Sequence, residues 1–374
     1  MKVIIASDKF KGTLTSVEVC DILARAFSEV FPRCSIDKIP LADGGEGTVD
    51  TLMGVLEGDK IKLEVSGPLG NRVIAEYGII EETKTAIIEM ASASGLKHVV
   101  PNRFSALNSS TYGVGELIVD AMKRGCSKII LCLGGSATTD AGVGMALALG
   151  YKFLNRNNGD VPAGGKFLKD IVTIDDSEVF KGLSNVDFVI ASDVLNPLYG
   201  AEGAASVYAG QKGASSSDIE LLDEGLKSFA EILKIYKGKD VGQVKGAGAA
   251  GGLGAGGLVF LNSTMQSGIE MVLNEVNFVR KVKNADLIIT GEGRFDKQSL
   301  QGKVVNGVLE KGKLLNIPVA LICGISEFSA SQIRNLGIAN FVNIVEREDD
   351  IEYAMINAST LLYKAGVELA QALI

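Results

Sequence analysis

At 374 residues the chain is longer than one hydrophobic core usually serves, so two domains are expected. Apolar residues make up 47% and charged residues 22%, an ordinary globular balance, and a net charge of −8 argues against nucleic acid or an anionic membrane surface as the main partner. Five scattered cysteines without a C-x-x-C pair, a short apolar run at the start and no stretch of 18 apolar residues point to a soluble, cytoplasmic protein with reduced thiols.

Residues 3–7 (VIIAS) form a β-branched run, the mark of a strand buried on both faces of a parallel sheet. Thr15 and Glu18 spell a capping box, and Val19, Ile22, Leu23, Ala26, Phe27 and Val30 follow at helical spacing. Residues 35–43 read as a second strand, with a helix after Gly47. Between 60 and 89 come three strand-like runs joined by short turns at 67–70 and 81–84, a pattern of an antiparallel or mixed sheet. KIILCLGG and VDFVIASD are buried strands farther on, and 217–236 is a charged amphipathic helix. The βα alternation returns at the end: ADLIITG, a helix over 299–313, PVALICG, a short helix, FVNIV, and a long helix from Asp350 with Ile351, Ala354, Met355, Ala358, Leu361, Leu362 and Ala365 on one face.

The expected fold is therefore α/β with two domains. A doubly wound, flavodoxin-like parallel-sheet lobe is built from residues 1–59 and 284–374, and an α+β lobe with a mixed sheet is inserted over 60–283. The active site is expected in the cleft between them.

Three glycine-rich stretches compete as ligand loops. Gly246, Gly248 and Gly251 spell G-x-G-x-x-G, but the preceding KGKDVGQVK carries no strand pattern, so close helix packing accounts for them better than a dinucleotide. Gly307 to Lys313 has P-loop spacing, yet Leu314 stands where a hydroxyl should hold magnesium. The run GGSATTDAGVG (134–144) is better placed, between a strand and a helix. Gly134, Gly135, Ser136, Thr138 and Thr139 could bind phosphate or carboxylate there, with Asp140 capping the helix or holding a cation.

Carboxylates recur past strand ends: Asp8, Asp43, Asp193 and Glu292, each beside glycines or cations such as Lys9, Lys11 and Arg294. One such aspartate is ordinarily a helix cap. Four suit a crevice in which carboxylates hold Mg²⁺, cations neutralise a moving phosphoryl group and one carboxylate takes a hydroxyl proton. The lone histidine, His98, leaves no partner for a zinc cluster or a thiol dyad.

The motifs DKFKGTL (8–14), PLADGGEGT (40–48), GPLG (67–70), STYGVGELI (110–118), GGSATTDAGVGMALALG (134–150), ASDVLNPLYG (191–200), QKGA (211–214), GAGAAGGLGAG (246–256), SGIE (267–270) and ITGEGRFDKQS (289–299) occur in order. Together they resemble the type I glycerate kinase family over nearly the whole chain. That resemblance implies two α/β domains, one inserted in the other, and ATP with Mg²⁺ phosphorylating D-glycerate. It departs at Lys9, Ser192 and Gly210, so Lys9 takes no family role.

On chemistry and position, Asp193 is expected as catalytic base with Asp43 the alternative, and Lys11 and Arg294 as the neutralising cations. Glu292 and Asp296 are expected on the metal. Asp8, Gly44, Gly45, Glu46, Gly134, Gly135, Ser136, Thr138 and Asn196 are expected on substrate or phosphate. 2-Phosphoglycerate is the favoured product, with a 3-kinase or a kinase of a related hydroxy acid as alternatives. A dinucleotide oxidoreductase and a non-catalytic two-lobed binder stand further off. The chain is expected as a monomer or homodimer.

Overall fold

A computed structural model describes residues 1–300, 302–347 and 350–374. Among them the strands are β1 (Lys2–Ile5), β2 (Ser35–Lys38), β3 (Asp59–Ser66), β4 (Arg72–Ile80), β5 (Thr85–Glu89), β6 (Lys128–Cys132), β7 (Lys152–Leu154), β8 (Thr173–Asp175), β9 (Asp187–Ala191), β10 (Thr264–Gln266), β11 (Leu287–Phe295), β12 (Val319–Ser326) and β13 (Ile338–Asn343). The chain divides into two compact units: Met1–Asp43, Asp50–Leu56 and Ser267–Ile374 in the first, Gly44–Val49 and Glu57–Gln266 in the second. No helix among the described residues is long and apolar enough to cross a membrane.

The first unit holds a five-stranded sheet in the order β13-β12-β11-β1-β2, parallel throughout. Taken in chain order within the unit this is the 2-1-3-4-5 arrangement of a flavodoxin-like doubly wound sheet. Its connections reverse direction between β1 and β11, which opens a crevice beyond their carboxyl ends. The Thr15 capping box forms as the spacing predicts, with Thr15 N donating to Glu18 Oε2 at 2.8 Å and Glu18 N donating to Thr15 Oγ1 at 3.2 Å. The helix Ser16–Val30 then buries Val19, Leu23 and Phe27 against Val3, Ile5 and Ile289.

Strand β2 ends at Lys38 rather than running to Asp43. Pairing to β1 still continues through Ile39 N to Ile5 O (2.8 Å) and Leu41 N to Ser7 O (3.0 Å). The closing helix is broken into Ile351–Ile356 and Ala358–Gln371. Asn357 interrupts it with non-helical backbone (φ −104°, ψ 18°), its side-chain amide and its backbone N–H both donating to Tyr353 O, at 2.9 and 3.1 Å. The first piece consequently buries nothing, and Met355, expected on the apolar face, is exposed. The second packs Leu362, Ala365 and Leu369 onto the helix Ser16–Val30, and Gly366 permits the approach, since a Cβ there would lie 2.8 Å from Ala26 Cβ.

The second unit holds a six-stranded sheet, β10-β9-β6-β5-β4-β3, and a small β7-β8 ribbon. The pairs β3/β4 and β4/β5 are antiparallel, whereas β5/β6, β6/β9 and β9/β10 are parallel, so the sheet is mixed as the closely spaced strands predict. Its core runs from Tyr77 and Ile88 to Phe153, Phe229 and Phe260, whose rings meet edge-on or tilted at 5.7–6.5 Å. Residues 267–283, expected with the inserted segment, cluster with the first unit. Lys311 pairs with Glu270 at 2.9 Å, and a Cβ on Gly307 would strike Ile269 of the helix Gly268–Glu275.

The glycine run at 246 proves to be a packing device. Ala250, Gly251 and Gly252 all take left-handed backbone (φ 51°, 67° and 90°), breaking the helix Ala249–Phe260 near its start. A Cβ on Gly251 would collide with the Thr138 carbonyl oxygen, so that glycine faces backbone and not a ligand. The P-loop look-alike at 307–313 lies inside the helix Val304–Leu315.

Candidate active site

In the first unit the crevice between β1 and β11 collects carboxylates. Asp8 N donates to Gly291 O at 3.1 Å, which ties the loop after β1 to β11 just before Glu292. Asp8 is 9% exposed and Glu292 7%. Burial, and then the Asp43 charge, push the Asp8 carboxyl up to about 7, against the Lys9 amide hydrogen bond (2.7 Å) and the Lys9 and Lys303 ammoniums. Burial likewise pushes Glu292 up to about 7, opposed by the Ser299 hydroxyl and Lys303 and reinforced by the Asp8 and Asp296 charges. Among the described residues Glu292 Oε1 is buried without a hydrogen-bond partner. A buried carboxylate oxygen left unpaired is costly, and a cation or a proton would relieve it.

Of the residues expected on this side, Asp8, Asp43 and Glu292 share this field. Asp296 Oδ1 accepts from Gln298 N (2.7 Å) and Ser299 N (3.1 Å), closing the turn after β11, while its charge acts on Glu292. Arg294 is exposed and pairs with Glu327 at 3.1 Å. Lys11 is exposed, and its backbone lies within van der Waals reach of Gly293. Lys303 was not singled out by strand-end reasoning because it precedes a helix.

In the second unit, register aligns Glu89, Cys132 and Ala191 across β5, β6 and β9. The residues just beyond, Gly134 to Ser136 and Asp193, therefore line one carboxyl edge of three parallel strands. Onto this edge comes the 44–47 loop: a Cβ on Gly134 would sit 3.4 Å from Gly45 Cα. Two motifs 90 residues apart thus meet glycine to glycine, with Glu46 exposed beside them.

Two expected ligand residues spend their side chains within the fold. Thr138 is fully buried, and its hydroxyl donates to Ala250 O at 3.5 Å instead of facing a substrate. The Asn196 amide is used at both ends, donating to Glu202 O at 2.8 Å and accepting from the Tyr208 hydroxyl at 2.8 Å, so it shapes its loop. Asp140 takes its capping alternative. It accepts from Thr111 N and Oγ1 (2.8 and 2.9 Å) and from Gly142 N and Gly144 N (3.2 and 3.1 Å), anchoring the starts of two helices. Sequence reasoning missed Lys212, whose buried ammonium donates to Thr138 O at 2.6 Å; burial lowers it to about 8 while the Asp140 charge opposes that. A lysine is ordinarily exposed, so nothing local marked it.

Residues 3–374 match the family model for the glycerate kinase family. The chain belongs to the glycerate kinase family. It is 45% identical to the glycerate kinase of Bacillus cereus, over 95% of this chain and 93% of that protein. To the glycerate 2-kinase of Escherichia coli K12 it is 38% identical, over 100% of this chain and 98% of the other. A crystal structure assigned to glycerate kinase 2 from Salmonella typhimurium LT2 superposes with a TM-score of 0.90 at 39% identity, covering 100% of this chain and 98% of that one. The chain is thus an enzyme that transfers a phosphoryl group from ATP to glycerate.

Proposed function

We propose that this chain is a cytoplasmic, type I member of its family that phosphorylates D-glycerate at the 2-hydroxyl. The name of the Escherichia coli relative, a glycerate 2-kinase matched along the full chain, carries the regiochemistry, and the ordered motifs support the subtype.

Among the described residues no group of three His, Cys, Asp or Glu is spaced to enclose a metal. Mg²⁺ in phosphoryl-transfer sites needs less: one or two carboxylates, waters and the nucleotide phosphates. Glu292, with its orphaned buried Oε1, fits that need, with Asp8 beside it and Asp296, the partner expected from sequence, in the same field. Mg²⁺ bound there would neutralise charge on the phosphates. Lys303 sits in the same field and adds a fixed positive charge, with Lys11 on the neighbouring loop.

In the second unit the 44–47 loop and residues 134–136 would hold glycerate through backbone N–H groups and the Ser136 hydroxyl. Asp193, past the end of β9, would take the proton of the attacking hydroxyl. A dinucleotide site finds no support, since Gly246, Gly248 and Gly251 are pressed against Met265, the Pro197 carbonyl and the Thr138 carbonyl.

The test couples ATP consumption with D-glycerate to enolase, with and without phosphoglycerate mutase. Signal with enolase alone identifies the 2-phosphate; signal that needs the mutase identifies the 3-phosphate and overturns the proposal.

A further inference from the structure

Glu89 belongs to no motif that marks the site and follows no glycine. It closes β5, and its carboxylate reaches 42 residues back along the chain. Oε1 accepts from Gly47 N at 3.1 Å and from Val49 N at 2.9 Å, gathering two backbone donors at the start of the helix Thr48–Val55. In the loop it grips, Gly44 and Gly47 both take left-handed backbone (φ 81° and 90°), and Thr48 Oγ1 donates to Gly45 O at 2.7 Å. Such a loop samples many shapes unless something outside it sets its position. The Glu89 carboxylate does that, and it does so where Gly45 rests against Gly134.

A ligand that meets a loose glycine loop must order it on binding, and that cost appears as weaker affinity; a loop already fixed avoids it. The helix start is also already filled by a side-chain carboxylate, so a substrate anion has the loop and the 134–136 backbone to bind, and not the amides of Gly47 and Val49.

We propose that Glu89 is a positioning residue for glycerate: by clamping Gly47 and Val49 it holds the 44–47 loop over Gly134 in the shape that binds substrate. The inference rests on the reading that this loop meets glycerate. Glu89 touches no reacting atom and acts on the loop through the Gly47 and Val49 amides.

The experiment measures steady-state kinetics and thermal unfolding for Glu89→Ala, Glu89→Gln and Glu89→Asp in the full-length enzyme, with Glu46→Gln as a probe of the loop itself. Glu89→Ala raises KM for glycerate about tenfold, moves KM for ATP less than about twofold, and lowers kcat less than about threefold. Glu89→Gln restores KM, because an amide oxygen still accepts from both N–H groups. Should the alanine variant fail to fold, Glu89→Asp decides: one methylene shorter, it cannot reach both donors and raises KM part of the way. Alanine and aspartate variants with wild-type KM overturn the inference. So does activity that falls only in proportion to the folded fraction, with KM unmoved, which marks a structural cap. If Glu46→Gln raises KM for glycerate while Glu89→Ala does not, the loop reading survives and the role of Glu89 fails. If neither variant changes KM, the loop reading fails with it.

Discussion

Asp8 and Glu292 face each other's charge across the carboxyl ends of adjacent parallel strands, each nine-tenths buried and each raised to about 7. An acid whose pKa is raised on folding binds its proton more tightly in the native state. Its destabilising effect is absent below about pH 4.5, grows as pH rises toward 7, and is full above that. Glu292→Gln removes this penalty, so the variant unfolds at higher temperature than wild type at pH 8, by on the order of 2 kcal/mol, and the difference vanishes near pH 4. Asp43, Asp296, Lys9 and Lys303 share the field, and the pH series is best run with Asp8→Asn beside it. Equal melting temperatures at pH 8 would show that burial does not strain these carboxyls.

Lys212 and Asp140 are buried charges of the second unit, and the Asp140 charge acts on the Lys212 ammonium. Lys212→Met leaves Asp140 without its opposite charge and the Thr138 carbonyl without its donor. A buried acceptor left without its donor costs about 1–3 kcal/mol, so the urea midpoint falls. A midpoint within experimental error of wild type would mean that the ammonium contributes nothing there.

Gly251→Ala tests the packing role of the glycine run. Left-handed backbone and the Thr138 carbonyl both oppose a side chain, and the variant loses at least about 2 kcal/mol of stability. Calorimetric titration of the wild type with NAD shows no binding. A stable alanine variant, or NAD binding that the substitution abolishes, would revive the dinucleotide reading.

Asp193→Asn separates base from cap. As the base its loss costs about 10²–10⁴ in kcat with the melting temperature little changed. As a cap it would cost roughly 1 kcal/mol of stability and leave turnover near wild type.

The sequence was most legible where a residue's partners are its neighbours. The Thr15 capping box closes over three residues, and the β-branched runs of β1, β6, β9 and β11 carry their burial in their own composition. Strand ends were legible for the same reason, which is why Asp8, Asp43, Glu292 and Asp193 stood out. What escaped depends on distant partners. Thr138 turns inward because Ala250 O lies 112 residues on, and Asn196 is used up by Glu202 and Tyr208. Glu89 looked like the end of an ordinary strand until Gly47 and Val49 folded onto it. The break at Asn357 was missed because the apolar spacing runs straight through it while the change lies in the backbone angles of one residue.

ADP release from ATP with and without D-glycerate, by the wild type and by Glu292→Gln, tests the central claim most directly. The account predicts glycerate-dependent turnover in the wild type and a loss of at least about a hundredfold in the variant, folded and more stable at pH 8. Turnover by folded Glu292→Gln within a few-fold of wild type would contradict it, and would move the phosphate-handling chemistry away from the β1–β11 crevice.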